Sequence, residues 1–469
     1  RDIISWNTLI VGYAQQGNVK EILNIFVEMQ KNDVNPNKIT FLSALDACEC
    51  SAALLGGLKI HHQIVDFGFE TDFMVQTGLV TMYGKCHNVA DAQNMFNKSV
   101  KRDVVSWSAM IAMYGQQGLG NEAFRLFKKM ICEGWTPNKV TYICILDACA
   151  KLCSLIEGQE IHMRVTCIGL ERETVVGTAL INMYGKCAQL QDAKLVFTEV
   201  QHRDVVCWNA LIAVLSQNRD DDEALRLFYE MHAEGIIGDH VSFICALEAC
   251  SNIDKGHDIH KAIIATGYDE YIDVSNALVC MYGRFSGLND AKFAFTALPS
   301  VTSASWNAII GVLSRNGNPL EALQLFHDMK RMGFHPDKIS FVCVLDACGS
   351  LEALKSGEEI HSHIINVGYD DDDDDDVTVS TALISMYGKC MRPCCAYCVF
   401  ESMARPDIVA WNALFTAITQ NGNYTHALHL LFRMQHKSVK PNQISFLCIL
   451  DACANLASLR NGIEVHHRE

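Results

Sequence analysis

Four cysteines crowd one short stretch. Cys390, Cys394, Cys395 and Cys398 stand as C-x3-C-C-x2-C, a residue type and spacing that can hold zinc. No second cysteine or histidine cluster lies nearby to complete the ligand set, and Cys390 belongs to a cysteine series that recurs through the chain. Packing is therefore the expected role. His232-Ala-Glu234 has the H-x-E order of a zinc deaminase, which must be followed by P-C-x-x-C. Cys395-Ala-Tyr-Cys398 is far downstream and Cys394, not Pro, precedes it; His467-Arg-Glu469 ends the chain. Seven consecutive aspartates, 370–376, could attract a cation, but an uninterrupted acid run reads as a solvated loop. The recurrent His61, His162, His260, His361 and His466 read as packing residues. There is no phosphate-binding glycine loop and no catalytic triad. The chain is expected to carry no catalytic site, no metal and no cofactor of its own.

The elements that would position any chemistry are set by a repeat. Trp6 recurs at Trp107, Trp208, Trp306 and Trp411, inside IISWNTLI, VVSWSAMI, VVCWNALI, SASWNAII and IVAWNALF. Each cycle of about 100 residues divides into three helical pairs. In the first, Trp6, Leu9, Ile10 and Tyr13 share one helix face; Gly17 breaks that helix, and Ile22, Ile25, Phe26 and Met29 mark a second. The turn Val34-Asn35-Pro36-Asn37 closes the pair. The second pair carries LSALDAC and GGLKIHHQI, the third GLVTMYGKC and ADAQNMF. We call them Trp, Cys and Tyr pairs. The Trp pairs are 3–37, 104–138, 205–239, 303–337 and 408–442. The Cys pairs are 38–72, 139–173, 240–271, 338–376 and 443–469, the last truncated. The Tyr pairs are 73–103, 174–204, 272–302 and 377–407. Length varies only in the Cys pairs, one of which holds the aspartate run. A pair of this size cannot bury its own apolar face, so the pairs must stack. The expectation is an all-α chain, one right-handed α-solenoid over 1–469, with first helices lining its concave side.

Composition narrows the function. Net charge is −16, and still −9 without the aspartate run, which argues against a non-specific phosphate binder. Twenty-one cysteines, mostly periodic on apolar faces, suggest small core residues in a reducing compartment. No stretch is apolar enough for a transmembrane helix. The first residues, Arg1-Asp2, match Arg102-Asp103 and Arg203-Asp204 at the end of a Tyr pair, so both ends read as cut, with targeting signals and terminal domains outside.

The alternation of 35-, 35- and 31-residue pairs resembles the PLS class of pentatricopeptide repeat proteins. WNAIIGVLSRNGNPLEALQLFHDMKRMGFHPD (306–337) is similar to the family's P-type repeat, LDACAKLCSLIEGQEIH (146–162) to its L type and TALINMYGKCAQLQDAKLVF (178–197) to its S type. The resemblance covers 3–469 as about fourteen repeats in P-L-S order. It implies single-stranded RNA binding, with each P or S repeat facing one base through its fifth and last residues and an apolar second residue sandwiching that base. On this chain the resemblance places Asn7 with Asn37 on a pyrimidine, Thr77 with Asp103 on guanine, Ser108 with Asn138 on adenine and Thr178 with Asp204 on guanine. Asn209 with Asp239 falls on uracil, Asn276 with Thr302 is an unusual pair, Asn307 with Asp337 falls on uracil, Thr381 with Asp407 on guanine and Asn412 with Asn442 on a pyrimidine. The Cys pairs have Leu42, Ile143, Ile244, Val342 and Leu447 there, which cannot hydrogen-bond a base edge. The implied target is 5′-Y-n-G-A-n-G-U-n-n-U-n-G-Y-n. Asp273 breaks the apolar second position, so the pair 272–302 is expected to read little. Lys85, Lys186, Arg284 and Lys389 recur where they could touch phosphate or cap a solvated helix end. The resemblance further implies a monomeric specificity tract of a C-to-U RNA-editing factor in a mitochondrion or chloroplast, away from membranes, with a deaminase domain in cis or in trans. The competing reading is a protein-binding helical scaffold, like tetratricopeptide repeats, or an RNA stability or splicing factor.

Overall fold

A capping residue in front of each Trp segment starts a helix, and the apolar spacing behind it fixes the face that packs. The computed structural model describes residues 2–48, 53–99, 102–368, 377–437 and 439–456. Among these are 27 α-helices, a 3-10 turn at Tyr268–Glu270, and no strand. The aspartate run and residues 457–469, with His466, His467 and Glu469, lie outside the described residues. The first three pairs are Ile3–Ala14 with Val19–Lys31, Lys38–Asp46 with Leu54–Asp66, and Phe73–Lys85 with Val89–Lys98. Later cycles repeat this order.

The chain divides into two compact units, 1–245 and 246–469. Within each, successive first helices pack on one another in sequence order, and first helices pack on their own second helices, as Ile3–Ala14 does on Val19–Lys31. Each unit is thus a stack of helical pairs with its first helices forming a continuous wall.

Three sidechain devices join the stack. In the first unit Trp107 and Trp208 are fully buried and meet Phe96 and Phe197 of the preceding Tyr pair edge-on, at centroid distances of 5.0 and 4.8 Å. Arg102 and Arg203 lie over the same Phe rings, each at 4.8 Å, which explains the recurrent Arg-Asp. In the second unit Trp306 and Trp411 repeat the contact with Phe295 and Phe400. The second device is the glycine of MYGK. A Cβ on Gly185 would stand 2.3 Å from Val214, so only Gly lets the next Trp-pair helix approach, and the Asn218 amide donates to the Gly185 carbonyl at 3.2 Å. The third is a histidine–tyrosine hydrogen bond between Cys and Tyr pairs: His61 to Tyr83 at 2.6 Å, His162 to Tyr184 at 2.8 Å, His260 to Tyr282 at 2.7 Å and His361 to Tyr387 at 2.8 Å. These four recurrent histidines are packing residues, as expected; His466 lies outside the described residues. Burial lowers the pKa of His61, His162 and His260 and pushes the phenols of Tyr83, Tyr184, Tyr282 and Tyr387 up to about 12.

Candidate nucleic-acid interface

Every paired last residue is the N-cap of the helix that follows. Asn37, Asp103, Asn138, Asp204 and Asp239 in the first unit, and Thr302, Asp337, Asp407 and Asn442 in the second, each accept a backbone N–H from the third residue of the next helix, at 2.8–3.3 Å. Capping fixes these side chains at the start of a first helix. The preceding pair's fifth residue arrives beside them by stacking.

In the Trp pairs the two candidate residues meet. The fifth-residue amide donates to the last residue's Oδ1: Asn7 to Asn37 at 3.4 Å, Asn209 to Asp239 at 3.0 Å, Asn307 to Asp337 at 2.9 Å and Asn412 to Asn442 at 3.1 Å. Ser108 and Asn138 join through Thr141, whose hydroxyl lies 2.7 Å from Ser108 and 3.0 Å from Asn138. Ser108, Asn209, Asn307 and Asn412 are buried, where the resemblance implied projecting side chains. Their hydrogen bonds draw them into the seam with the next pair, leaving an edge of each side chain at the wall. Burial alone would raise the Asp239 pKa, but hydrogen bonds from the Ser242 backbone, Asn209 and the Ser242 hydroxyl, with the nearby His240, hold it below the usual carboxylate range.

The Tyr pairs are built differently. Among the described residues no hydrogen bond joins Thr77 to Asp103, Thr178 to Asp204, Asn276 to Thr302 or Thr381 to Asp407. Thr77 and Thr178 instead donate to the carbonyls of Phe73 and Thr174 in their own helices, at 3.0 and 2.8 Å. Their oxygens are left as acceptors. The buried Thr381 Oγ1 and Asn276 Oδ1 have no hydrogen-bond partner. Thr381, Asn412 and Val409 line one surface cavity with Lys389 and Gln420.

Beside these groups runs an aliphatic row. Ile4, Ile39, Met74, Val105, Val140, Val175, Val206 and Val241 in the first unit, each the second residue of a first helix, are exposed; so are Ile339, Val409 and Ile444 in the second. Ile4 is 70% exposed and Val206 57%, far more than packing would leave. The row continues through the Cys pairs, whose second residues were not assigned a role from sequence. In the second unit exposed Asp273, Ala304 and Thr378 interrupt it.

The basic residues are already engaged. Lys186 donates to Gln217 at 3.1 Å, Arg284 donates to the Glu248 and Leu247 carbonyls, and Lys389 pairs with Asp346 at 2.8 Å. Of the zinc candidates, Cys390 is buried at a helix end while Cys394 and Cys398 are exposed on the following helix. Among the described residues no three His, Cys, Asp or Glu side chains gather as a metal site. His232 bonds the Phe228 carbonyl and packs on Phe228 and Phe243. No described helix is long and apolar enough to cross a membrane.

The sequence model of the PPR repeat family matches residues 1–49, 102–151, 203–252, 301–350 and 406–455. Among similar proteins from Arabidopsis thaliana, a chloroplastic pentatricopeptide repeat-containing protein is 32% identical over 464 residues, covering 98% of this chain and 57% of the relative. A mitochondrial one is 31% identical over 471 residues, covering 99% and 45%. A second mitochondrial one is 32% identical over 464 residues, covering 98% and 67%. The chain thus spans about half the length of the first two. The pentatricopeptide repeat protein PPR10, solved in complex with an 18-nt psaJ RNA element, shares the fold at a TM-score of 0.57 and 18% identity, over 99% of this chain and 73% of PPR10. With matched repeats covering more than half of its residues, each opening on one of the five Trp pairs, this chain belongs to the PPR repeat family.

Proposed function

We propose that the chain binds single-stranded RNA sequence-specifically, one base per Trp or Tyr pair, and serves as the target-recognition tract of an RNA-editing factor in a chloroplast or mitochondrion. The observation that carries this is the polar contact between residues thirty positions apart, made beside an exposed aliphatic row. A stack built for packing alone would leave neither. The side chains match base edges. Asn209, bonded to Asp239 and Ser242, keeps one N–H and one lone pair, the complement of O4 and N3–H of uracil. Thr178 has its proton on Thr174 and can only accept, and the Asp204 carboxylate can only accept; guanine offers N1–H and N2–H donors. The aliphatic row gives each base a face to lie against. PPR10 was solved with RNA, and relatives named chloroplastic or mitochondrial fit an organellar site. The editing role rests on the three-pair alternation, with a deaminase supplied in cis or in trans.

Pairs in 1–245 would read 5′-Y-n-G-A-n-G-U and those in 246–469 n-n-U-n-G-Y-n. Binding to the joined 14-nucleotide RNA and to a scrambled RNA of the same composition, at fixed salt, tests this. Each wrong base should weaken binding about five-fold, for a hydrogen bond of about 1 kcal/mol. Equal affinity for the two RNAs would reject base reading. No binding to either would favour a peptide-binding scaffold, the reading that the net charge of −16 supports.

A further inference from the structure

The Cys pairs open on a repeated tripeptide: Ile39-Thr40-Phe41, Val140-Thr141-Tyr142, Val241-Ser242-Phe243, Ile339-Ser340-Phe341 and Ile444-Ser445-Phe446. Its first residue is exposed and belongs to the aliphatic row. The central hydroxyl residue is completely buried in all five copies. We infer that this hydroxyl is a specificity-determining residue of the preceding Trp pair, holding its fifth residue in the orientation that reads the base. The inference rests on the RNA reading proposed above.

The geometry is a closed ring. The Thr40, Ser242, Ser340 and Ser445 hydroxyls lie 2.6, 2.7, 2.6 and 2.6 Å from Oδ1 of Asn7, Asn209, Asn307 and Asn412. The same hydroxyls are 2.9–3.1 Å from the capping Oδ1, which already receives the helix N–H and the amide. One proton serves one acceptor best, and the shorter contact is to the fifth-residue amide. Asp239 and Asp337 fix the sense of the ring, because a carboxylate can only accept. The atom facing it must be the N–H of Asn209 or Asn307, so Oδ1 must face the serine. What remains toward the wall is one donor and one acceptor in a set order. Uracil and cytosine differ in that order at positions 3 and 4 of the ring, so an amide that can turn over would accept either.

Helix capping does not explain the hydroxyl. The third residue of a Trp-pair helix does the same capping and varies as Ser5, Ser106, Cys207, Ser305 and Ala410, while the Tyr pairs have Val75, Val176, Val274 and Val379. Ala410 still donates its N–H to Asp407 at 2.8 Å. Asn276, in a Tyr pair, has Ser305 at the equivalent register, but the Ser305 hydroxyl lies 3.1 Å from Thr302 Oγ1, and the Asn276 Oδ1 is buried with no partner. Among the described residues the closed ring therefore forms only where a Cys pair follows a Trp pair.

The test uses the full chain and 14-nucleotide RNAs with uracil or cytosine at base 7, opposite Asn209, or base 10, opposite Asn307. Ser242→Ala should lower the uracil-over-cytosine ratio of affinities about five-fold at base 7 and leave base 10 unchanged; Ser340→Ala should do the reverse. Ser242→Thr and Ser340→Thr should keep the wild-type ratio. Ala410 shows that alanine is accepted at this register, and a melt of each variant verifies folding. If either alanine variant keeps its own ratio, or lowers both ratios alike, the hydroxyl is structural and the inference falls. If the wild-type chain does not separate uracil from cytosine at either base, the RNA reading itself has failed.

Discussion

At the scale of single residues the wall is a series of short polar groups between exposed aliphatic ones. The sequence made the polar pairs visible because fifth and last positions carry Asn, Ser, Thr or Asp in the Trp and Tyr pairs, while Leu42 and its equivalents are aliphatic. It did not show that Asn209 and Asn307 are nearly covered, since burial depends on how closely the next pair stacks. Thr40 and Ser242 also escaped notice: a hydroxyl at the third residue of a helix passes for ordinary capping until the partner thirty-three residues back is seen. The repeated tripeptide was the available signal. Val206 and Asp273 give the residue-scale prediction. Apolar contact of an aliphatic side chain with a base face contributes on the order of 1 kcal/mol, and a carboxylate adds repulsion from the phosphate backbone. Val206→Asp should therefore weaken binding to the 14-nucleotide RNA about ten-fold or more in a titration. Asp273→Val should strengthen it. Unchanged affinity in both would remove the aliphatic row from the interface.

At the scale of the helical pair, stability comes from joints that the sequence repeats. Gly17, Gly118, Gly317 and Gly422 take positive φ after the first helix of a Trp pair; Arg219 occupies the same place with φ 64°. A side chain in the left-handed region costs about 1–2 kcal/mol, partly offset by the unfolded-state freedom of glycine. Arg219→Gly should raise stability by up to about 1 kcal/mol in chemical denaturation. A lower midpoint would mean that Arg219 makes contacts worth more than the strain. The histidine–tyrosine joints should make the stack acid-sensitive. With folded pKa values below the unfolded value of about 6.5, His61, His162 and His260 take up protons more readily when unfolded. Their contribution is complete above about pH 6.5 and is lost as pH falls below it. Melting temperature should drop between pH 7.5 and pH 5.5, and replacing all three histidines with asparagine should flatten that dependence while lowering stability at pH 7.5. An identical pH slope in the triple variant would show that other groups set it. These joints were half legible: the periodic histidines announced packing, but their tyrosine partners, twenty-two or more residues away, became apparent only in the stack.

At the scale of the molecule, a chain of net charge −16 is proposed to hold a polyanion. The two facts agree if affinity comes from base edges and stacking rather than from phosphate contacts. The engaged states of Lys186, Arg284 and Lys389 fit that division, since none stands as a loose cation waiting for a phosphate. The all-helical stack was legible throughout, because a Trp every hundred residues and three fixed pair signatures leave few other folds. The division into units at 245 and 246 was not, since the Cys pair 240–271 differs from its siblings by only a few residues. The central claim is that each Trp or Tyr pair reads its own base through two side chains. Exchanging one reader tests it most directly. Thr178→Asn places with Asp204 the combination that Asn209 forms with Asp239. Affinities should be measured, at one salt concentration, for four RNAs that differ only at base 6. The wild-type chain should prefer guanine there by about five-fold. The variant should shift toward the pyrimidines, uracil first but with cytosine less excluded than opposite Asn209, because Cys207 stands where Ser242 does; preferences at the other bases should be unchanged. The same order of preference in both proteins, or none in either, would contradict the account.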